Sequence, residues 1–251
     1  MAGHGNLPIR VIGGWGVDAT MLAALTNDWP GPVTHLNLAG DLLTNLSPDA
    51  SGVESAARRL LARYPEPALW LGWSLGGQIA MAAAGQAPDT VCGVVTLGGF
   101  PRFVQSGHCS PGMAAATFEA FLRQFDDDSH RCWQRFLALM ASDGQGRSDR
   151  RALRRWLQSG PPQSDDDLAL TLGWLADSDQ TLLWQNLTTP ALHLWGTQDQ
   201  VVSATMADQP LAANSRALLI EGMDHWPRDE AGQVCRQHLL TFAHSLQETV
   251  Q

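Results

Sequence analysis

The chain contains no lysine, so all 16 of its basic residues are arginine. They are outnumbered by 25 acidic residues, and the formal net charge is −9. A general nucleic-acid binder, which needs cations along a phosphate backbone, is excluded by that balance. Charged residues are scarce, at 16%, but a hydrophobic content of 44% rules out a disordered chain. No run of about 18 apolar residues occurs, so no transmembrane helix is expected. The opening M-A-G-H-G-N-L-P-I-R lacks a basic segment followed by an apolar one, and no secretory signal is expected. Four cysteines, Cys92, Cys109, Cys132 and Cys235, form no C-x-x-C pair and have no histidine at metal-ligand spacing. They read as free, packed thiols in a reducing, cytoplasmic compartment.

What is present is a rhythm. Short apolar runs alternate with longer helical patterns, as in a parallel α/β sheet. Strands are predicted over 9–13, 33–38, 68–72, 91–97, 191–196 and 216–222. Helices are predicted over 17–28, 51–63, 75–86 and 229–246. Several strands are apolar throughout, which suits strands covered on both faces. Between 101 and 187 the apolar residues fall only at helical spacing. The expected organisation is a core of 1–100 and 188–251 with a helical insertion, a lid, at 101–187. The triplets Asp126–Asp128 and Asp165–Asp167 suit helix caps and first turns, where carboxylates meet unpaired N–H groups. No metal is needed there.

One stretch carries chemistry. Gly72-Trp73-Ser74-Leu75-Gly76 matches G-x-S-x-G. It follows the apolar A-L-W-L and precedes the helical Q-I-A-M-A-A-A. A serine on a sharp strand-to-helix turn exposes its Oγ, with glycines letting strand and helix approach closely. A serine that merely caps the turn would explain the hydroxyl alone.

A serine hydroxyl needs a base. Of the eight histidines, His35 and His193 lie in strand patterns and His238 and His244 in the last helix. His4, His108 and His130 lie near the terminus or in the insertion. His225 follows the last predicted strand in E-G-M-D-H-W-P, where a base belongs if the chain order is Ser, acid, His. Asp199, in W-G-T-Q-D-Q-V-V after the penultimate strand, is the matching acid. It would accept the Nδ1–H of His225 and orient the ring. A turn cap is the plainer role for Asp199. Asp224, adjacent to His225, is poorly placed to face it. The oxyanion donors would be the backbone N–H groups of Leu75 and Trp15, the latter in V-I-G-G-W-G-V-D, whose glycines also suit an ordinary tight turn.

Seven arginines, Arg131, Arg135, Arg147, Arg150, Arg151, Arg154 and Arg155, lie between 131 and 155 against Asp143 and Asp149, a local balance of 7 − 2 = +5. This basic island suits either an anionic partner or a solvated helix face.

Together, W-L-G-W-S-L-G-G, G-G-W-G, W-G-T-Q-D-Q-V-V and G-M-D-H-W-P resemble the α/β-hydrolase superfamily. Within it they are most similar to the methyl ester esterases that act on pimeloyl-acyl carrier protein in biotin synthesis. The resemblance implies an α/β-hydrolase fold, a mostly parallel sheet flanked by helices with an inserted helical lid. It implies Ser74, Asp199 and His225 as the triad and Trp15 and Leu75 as oxyanion donors. It further implies that Trp15 also binds substrate and that Phe136, Leu137, Ala138, Leu139 and Met140 line an acyl channel. Arg131, Arg135, Arg147 and Arg151 would hold the phosphopantetheine arm and the acidic carrier protein. The implied reaction uses no metal and no cofactor. The partner is acyl carrier protein, with no nucleic acid, no membrane and a monomeric enzyme. One departure stands out: Gly13 occupies the histidine position of the family's usual H-G-W-G. A thioesterase, a C–C bond hydrolase, a lyase or a non-catalytic binding protein could share the fold.

Overall fold

The computed structural model describes residues 7–43, 52–107, 111–143, 145 and 147–248. His4, His108 and Cys109 lie outside them. Six strands, β1 (Ile9–Ile12), β2 (Val33–Leu36), β3 (Ala68–Trp73), β4 (Val91–Leu97), β5 (Ala191–Gly196) and β6 (Ser215–Ile220), form one sheet in the order β2-β1-β3-β4-β5-β6. Every pairing is parallel. Each predicted strand is present. The all-apolar runs fall in the middle: β1, β3 and β5 are buried at every residue and β4 at all but one. The edge strands β2 and β6 are largely half-buried or exposed. Helices on both faces remove the inner strands from water, which is what their continuous hydrophobicity requires.

The core helices are α1 (Gly52–Arg63), α2 (Leu75–Gln86) and α8 (Asp229–Glu248). The helix expected over 17–28 is instead a 3-10 helix over Ala19–Thr26. Asp18 Oδ1 accepts from the Thr20 N–H at 2.8 Å, and the Thr26 hydroxyl donates to the Ala23 carbonyl at 3.2 Å. Its Met21, Leu22 and Leu25 are buried and it packs against α8, so tertiary contact rather than propensity holds it.

Between β4 and β5 run α3 (Ala115–Asp127), α4 (Ser129–Met140), α5 (Arg150–Ser159), α6 (Asp165–Asp177) and α7 (Thr181–Asn186), with no strand of the sheet among the described residues there. Asp128 caps α4 by accepting the Arg131 N–H at 2.9 Å, and Asp126 and Asp127 finish α3. The cap of α6 is Ser164, with Asp165, Asp166 and Asp167 in the first turn. Trp133 and Trp174 are buried in the core, whereas Trp156 is only partly so. Among the described residues no helix is long and apolar enough to cross a membrane.

Candidate active site

The strand order reverses beside β1, whose neighbours are β2 and β3. In open parallel sheets a crevice forms outside the carboxyl ends of the strands at such a point. The loop after β1 and the turn after β3 both end there.

That second turn is strained. Ser74 has φ +55 and ψ −121, and only three non-glycine residues in the described chain have positive φ. The conformation is sustained by close packing of α2. A Cβ on Gly72 would strike the backbone of Gly76 and Gly77, and one on Gly76 would strike the carbonyls of Ile12 and Gly13. The Ser74 N–H donates to the Leu97 carbonyl at 2.9 Å, tying the turn to the end of β4. The surroundings thus over-determine a backbone that serine alone would avoid.

His225 reaches this strand end from the loop after β6. Its Nδ1 lies 2.7 Å from Asp199 Oδ2, and both side chains are essentially sealed from solvent. Asp199 Oδ1 accepts the backbone N–H groups of Val201 (2.8 Å) and Val202 (2.9 Å). The turn-cap role and the histidine-partner role are therefore filled together, one by each oxygen. Gly98, at φ +53, borders the pair: a Cβ there would come within 2.9 Å of the His225 ring and 3.3 Å of Asp199 Oδ2. Trp73 Nε1 donates to the His225 carbonyl at 2.8 Å, linking the backbone of His225 to the residue before Ser74. Because a carboxylate only accepts, Nδ1 is the donor of this bond, and in the neutral imidazole Nε2 then presents a lone pair. That Nε2 is buried and has no hydrogen-bond partner among the described residues.

The loop after β1 closes on the serine. A Cβ on Gly14 would lie 3.0 Å from Ser74 Cβ and 3.6 Å from its Oγ. The helical segment pins the next two residues through two side chains and one backbone carbonyl. Trp15 Nε1 donates to the Leu168 carbonyl (2.9 Å), Trp133 Nε1 to the Gly16 carbonyl (2.6 Å), and the Gly16 N–H to Gln163 Oε1 (2.6 Å). The backbone N–H of Trp15 has no acceptor among the described residues. Leu75 opens α2, and a first-turn N–H has no intrahelical acceptor. Two donors are thus available near Ser74.

Ser74 opens into an apolar cavity, and it is the one polar residue among the described residues that line it. Of the segment 136–140, Phe136 and Leu139 line this cavity, one helical turn apart. Leu137 lines a separate groove with Gly16 and Trp156, Ala138 borders neither, and Met140 is buried with its carbonyl accepting the Trp226 N–H at 3.2 Å. The remaining wall is Trp15, expected at the site, together with Phe103, Met113, Phe118, Phe121, Leu172, Leu175 and Val201, which were not expected there. The helical periodicity of α3 and α6 marked their apolar faces but not which cavity those faces meet.

Arg131, Arg135, Arg147 and Arg151 are all exposed. Arg135 donates to Gln124 Oε1 at 2.9 Å, and Arg147 is paired with Asp143 at 2.9 Å. Other candidates fall away. Asp224 pairs with Arg228 (3.1 Å) rather than with His225. His193 stacks on Trp184 with ring centroids 4.4 Å apart and shares a hydrogen bond of 2.8 Å with Thr96. Burial holds its pKa down at about 3. Burial also pushes the Cys132 thiol up to about 11 and Cys235 to about 12, leaving neither as a thiolate at neutral pH. Among the described residues no cluster of His, Cys, Asp or Glu could hold a metal ion.

Comparison with known proteins agrees with this architecture. The sequence model of the alpha/beta hydrolase family matches residues 3–237. The chain is 36% identical over 182 residues to a pimeloyl-[acyl-carrier protein] methyl ester esterase of Photobacterium profundum, covering 71% of each chain. It is 30% identical over 232 residues to the protein of the same name from Sodalis glossinidius, covering 90% of this chain and 89% of that one. Among solved structures, a bromoperoxidase from Bacillus anthracis superposes with a TM-score of 0.78 at 19% identity, covering 95% of this chain and 92% of that one. An esterase from Exiguobacterium antarcticum gives 0.76 at 18% identity with the same coverages. These structural likenesses show the fold. The chain belongs to the alpha/beta hydrolase family, as an esterase-type hydrolase grouped with the pimeloyl-[acyl-carrier protein] methyl ester esterases.

Proposed function

We propose that this chain is a serine carboxylesterase that hydrolyses the methyl ester of pimeloyl-acyl carrier protein in biotin synthesis. The observation that carries the chemistry is the buried His225–Asp199 pair, whose second ring nitrogen makes no hydrogen bond among the described residues, Ser74 included, and whose loop is tied by Trp73 to the strand end that bears the strained serine. The name borne by the sequence relatives supports the substrate.

In this reading Ser74 Oγ attacks the ester carbonyl as His225 Nε2 takes its proton. Negative charge on the carbonyl oxygen meets the N–H groups of Leu75 and Trp15. The tetrahedral intermediate expels methoxide, which takes the proton from His225 and leaves as methanol. Water, deprotonated by His225, then attacks the acyl-serine; the free carboxylate departs and Ser74 regains its proton. Asp199 keeps Nδ1 protonated and stabilises the imidazolium in both halves.

Segment 101–187 serves as the lid, with Phe136 and Leu139 on its inner side toward the acyl chain. The exposed Arg131, Arg135, Arg147 and Arg151 receive the acidic carrier protein and its phosphopantetheine arm. The enzyme works as a cytoplasmic monomer without metal or cofactor.

Ser74→Ala tests the chemistry, with an expected fall in kcat of about 10³ or more on a short p-nitrophenyl ester. Hydrolysis by that variant at the parental rate would sink the triad. Rescue of a biotin auxotroph blocked at ester removal tests the substrate. A panel of matched oxygen esters and thioesters separates this reading from a thioesterase.

A further inference from the structure

The loop that carries His225 is bolted to the helical segment by groups the reaction does not use. Arg228 lies three residues after His225. Its Nη2 donates to Asp224 Oδ2 at 3.1 Å, and its Nη1 donates to Asp149 Oδ2 at 2.9 Å and to Asp229 Oδ2 at 2.9 Å. Asp149 is the cap of α5, its Oδ1 accepting from the Arg151 and Ala152 N–H groups at 3.1 and 3.0 Å. Its own N–H donates to the Ala141 carbonyl at 3.1 Å, just past the end of α4. Between His225 and Arg228, the Trp226 N–H is shared between Asp224 Oδ1 (2.9 Å) and the Met140 carbonyl (3.2 Å). The loop is therefore held at the end of α4 and at the start of α5. Helix α4 also supplies Phe136 and Leu139 to the Ser74 cavity.

We propose that Arg228 is a positioning residue which, by bridging Asp224 and Asp149, couples the placement of His225 to the placement of the helical segment that walls the cavity. This rests on reading His225 as the general base. Arginine suits the task because its planar fork can reach two carboxylates in fixed geometry, which a lysine ammonium on a flexible stem cannot. The Asp224–Arg228 arm is the inner one: Asp224 is largely buried, whereas Asp149 is about two-fifths exposed at its side chain. A shift of about 1 Å in a catalytic group can cost 10²-fold in rate, so a clamp at this distance matters without touching substrate.

Burial pushes the Asp224 carboxyl up to about 6, against the pull of Arg228 and of His225. The charged or titratable groups around it are Arg228, His225, Glu221, Asp229, Glu230 and, across Arg228, Asp149. The inner arm therefore loses its negative charge as the pH falls through about 6, and the clamp has a pH signature that a passive packing role would lack.

The test uses the full chain, a short p-nitrophenyl ester and a fluorophosphonate that labels the active serine. Arg228→Met is expected to lower both kcat and the labelling rate by about tenfold or more with little change in KM. Arg228→Lys should recover part of the loss. Asp149→Ser keeps a side chain able to cap α5 while removing the carboxylate, and should lower kcat by a smaller factor. The double variant Arg228→Met/Asp149→Ser should be no worse than Arg228→Met alone, since both cut one link. For Asp224→Asn, the deficit in kcat/KM against the parent should shrink below about pH 6, where the parent carboxyl is itself protonated. Parental kcat in Arg228→Met, simple addition of the two losses, or a pH-independent Asp224→Asn deficit overturns the proposal. Should Arg228→Met not fold, Asp149→Ser and Asp224→Asn decide it by the same measures. Failure of the parent to be labelled at Ser74 would instead sink the triad reading, a distinguishable result.

Discussion

Asp199 and His225 stand 26 positions apart in the chain, yet their side chains meet at 2.7 Å with neither reaching solvent. Two loops make the meeting possible. The Gln198 N–H donates to the Met223 carbonyl at 2.9 Å, and a Cβ on Gly196 would strike the Met223 backbone, so the loops after β5 and β6 lie flat against one another. The carboxylate's other oxygen is occupied by two backbone N–H groups, which leaves a single direction for the imidazole.

Asp199→Asn should therefore disable the site without unfolding it. The amide can accept from Val201 and Val202 but can offer an NH₂ to His225, favouring the wrong tautomer. The expected loss in kcat is about 10⁴-fold on a small ester. Steady-state kinetics beside a thermal melt would check it, and a loss under tenfold with parental stability contradicts the assigned role.

Gly76→Ala should fail for a different reason. The new methyl would collide with the carbonyls of Ile12 and Gly13, backbone atoms that cannot swing aside. Overpacking usually costs about 1–3 kcal/mol, and backbone collision puts this case at or above the upper end. Urea unfolding reads the change directly; a variant of parental stability would mean that α2 does not ride on the end of β1.

The buried His193 predicts a component of acid instability. Its folded-state pKa is lowered to about 3, below its ordinary value of 6.5, so the folded protein keeps it neutral where the unfolded chain takes up a proton. The stability it contributes is present above about pH 6.5 and is lost as the pH falls from there toward 3, at up to about 1.4 kcal/mol per pH unit. His193→Gln, which cannot titrate but can still bond Thr96, should melt with a shallower pH dependence over that window. Identical slopes for parent and variant would show that His193 is charged in the fold.

Charge reversal of Arg131 and Arg135 separates docking from chemistry. Both are exposed on α4. The double Glu variant should lose about tenfold or more in kcat/KM on a carrier-bound ester, with weaker salt dependence, and little on a p-nitrophenyl ester. Equal losses on both substrates would point to disruption of the helical segment.

Shortening Phe136 tests the cavity wall. Phe136→Ala should raise the rate on longer acyl esters relative to short ones by several-fold, each accommodated CH₂ contributing about 0.8 kcal/mol. An unchanged chain-length profile across p-nitrophenyl esters would mean that the acyl chain runs elsewhere.

Local chemistry made much of this legible in the residues alone. Strand runs, helix periods and the glycines around Ser74 act within a few positions, so all six strands and the elbow could be placed before any contact was known. Asp199 and His225 were legible because their positions after successive strands follow from chain order. Other features depend on contacts that no local pattern encodes. The two-way use of Asp199, the pinning of Trp15 and Gly16 by Trp133, Gln163 and Leu168, and the choice of Phe136 and Leu139 over Leu137, Ala138 and Met140 as cavity wall are of this kind. So is the Arg228 bridge, which joins residues 79 positions apart. Periodicity tells which face of a helix is apolar, but the crossing of one helix over another decides what that face meets, and only the packed chain sets those crossings.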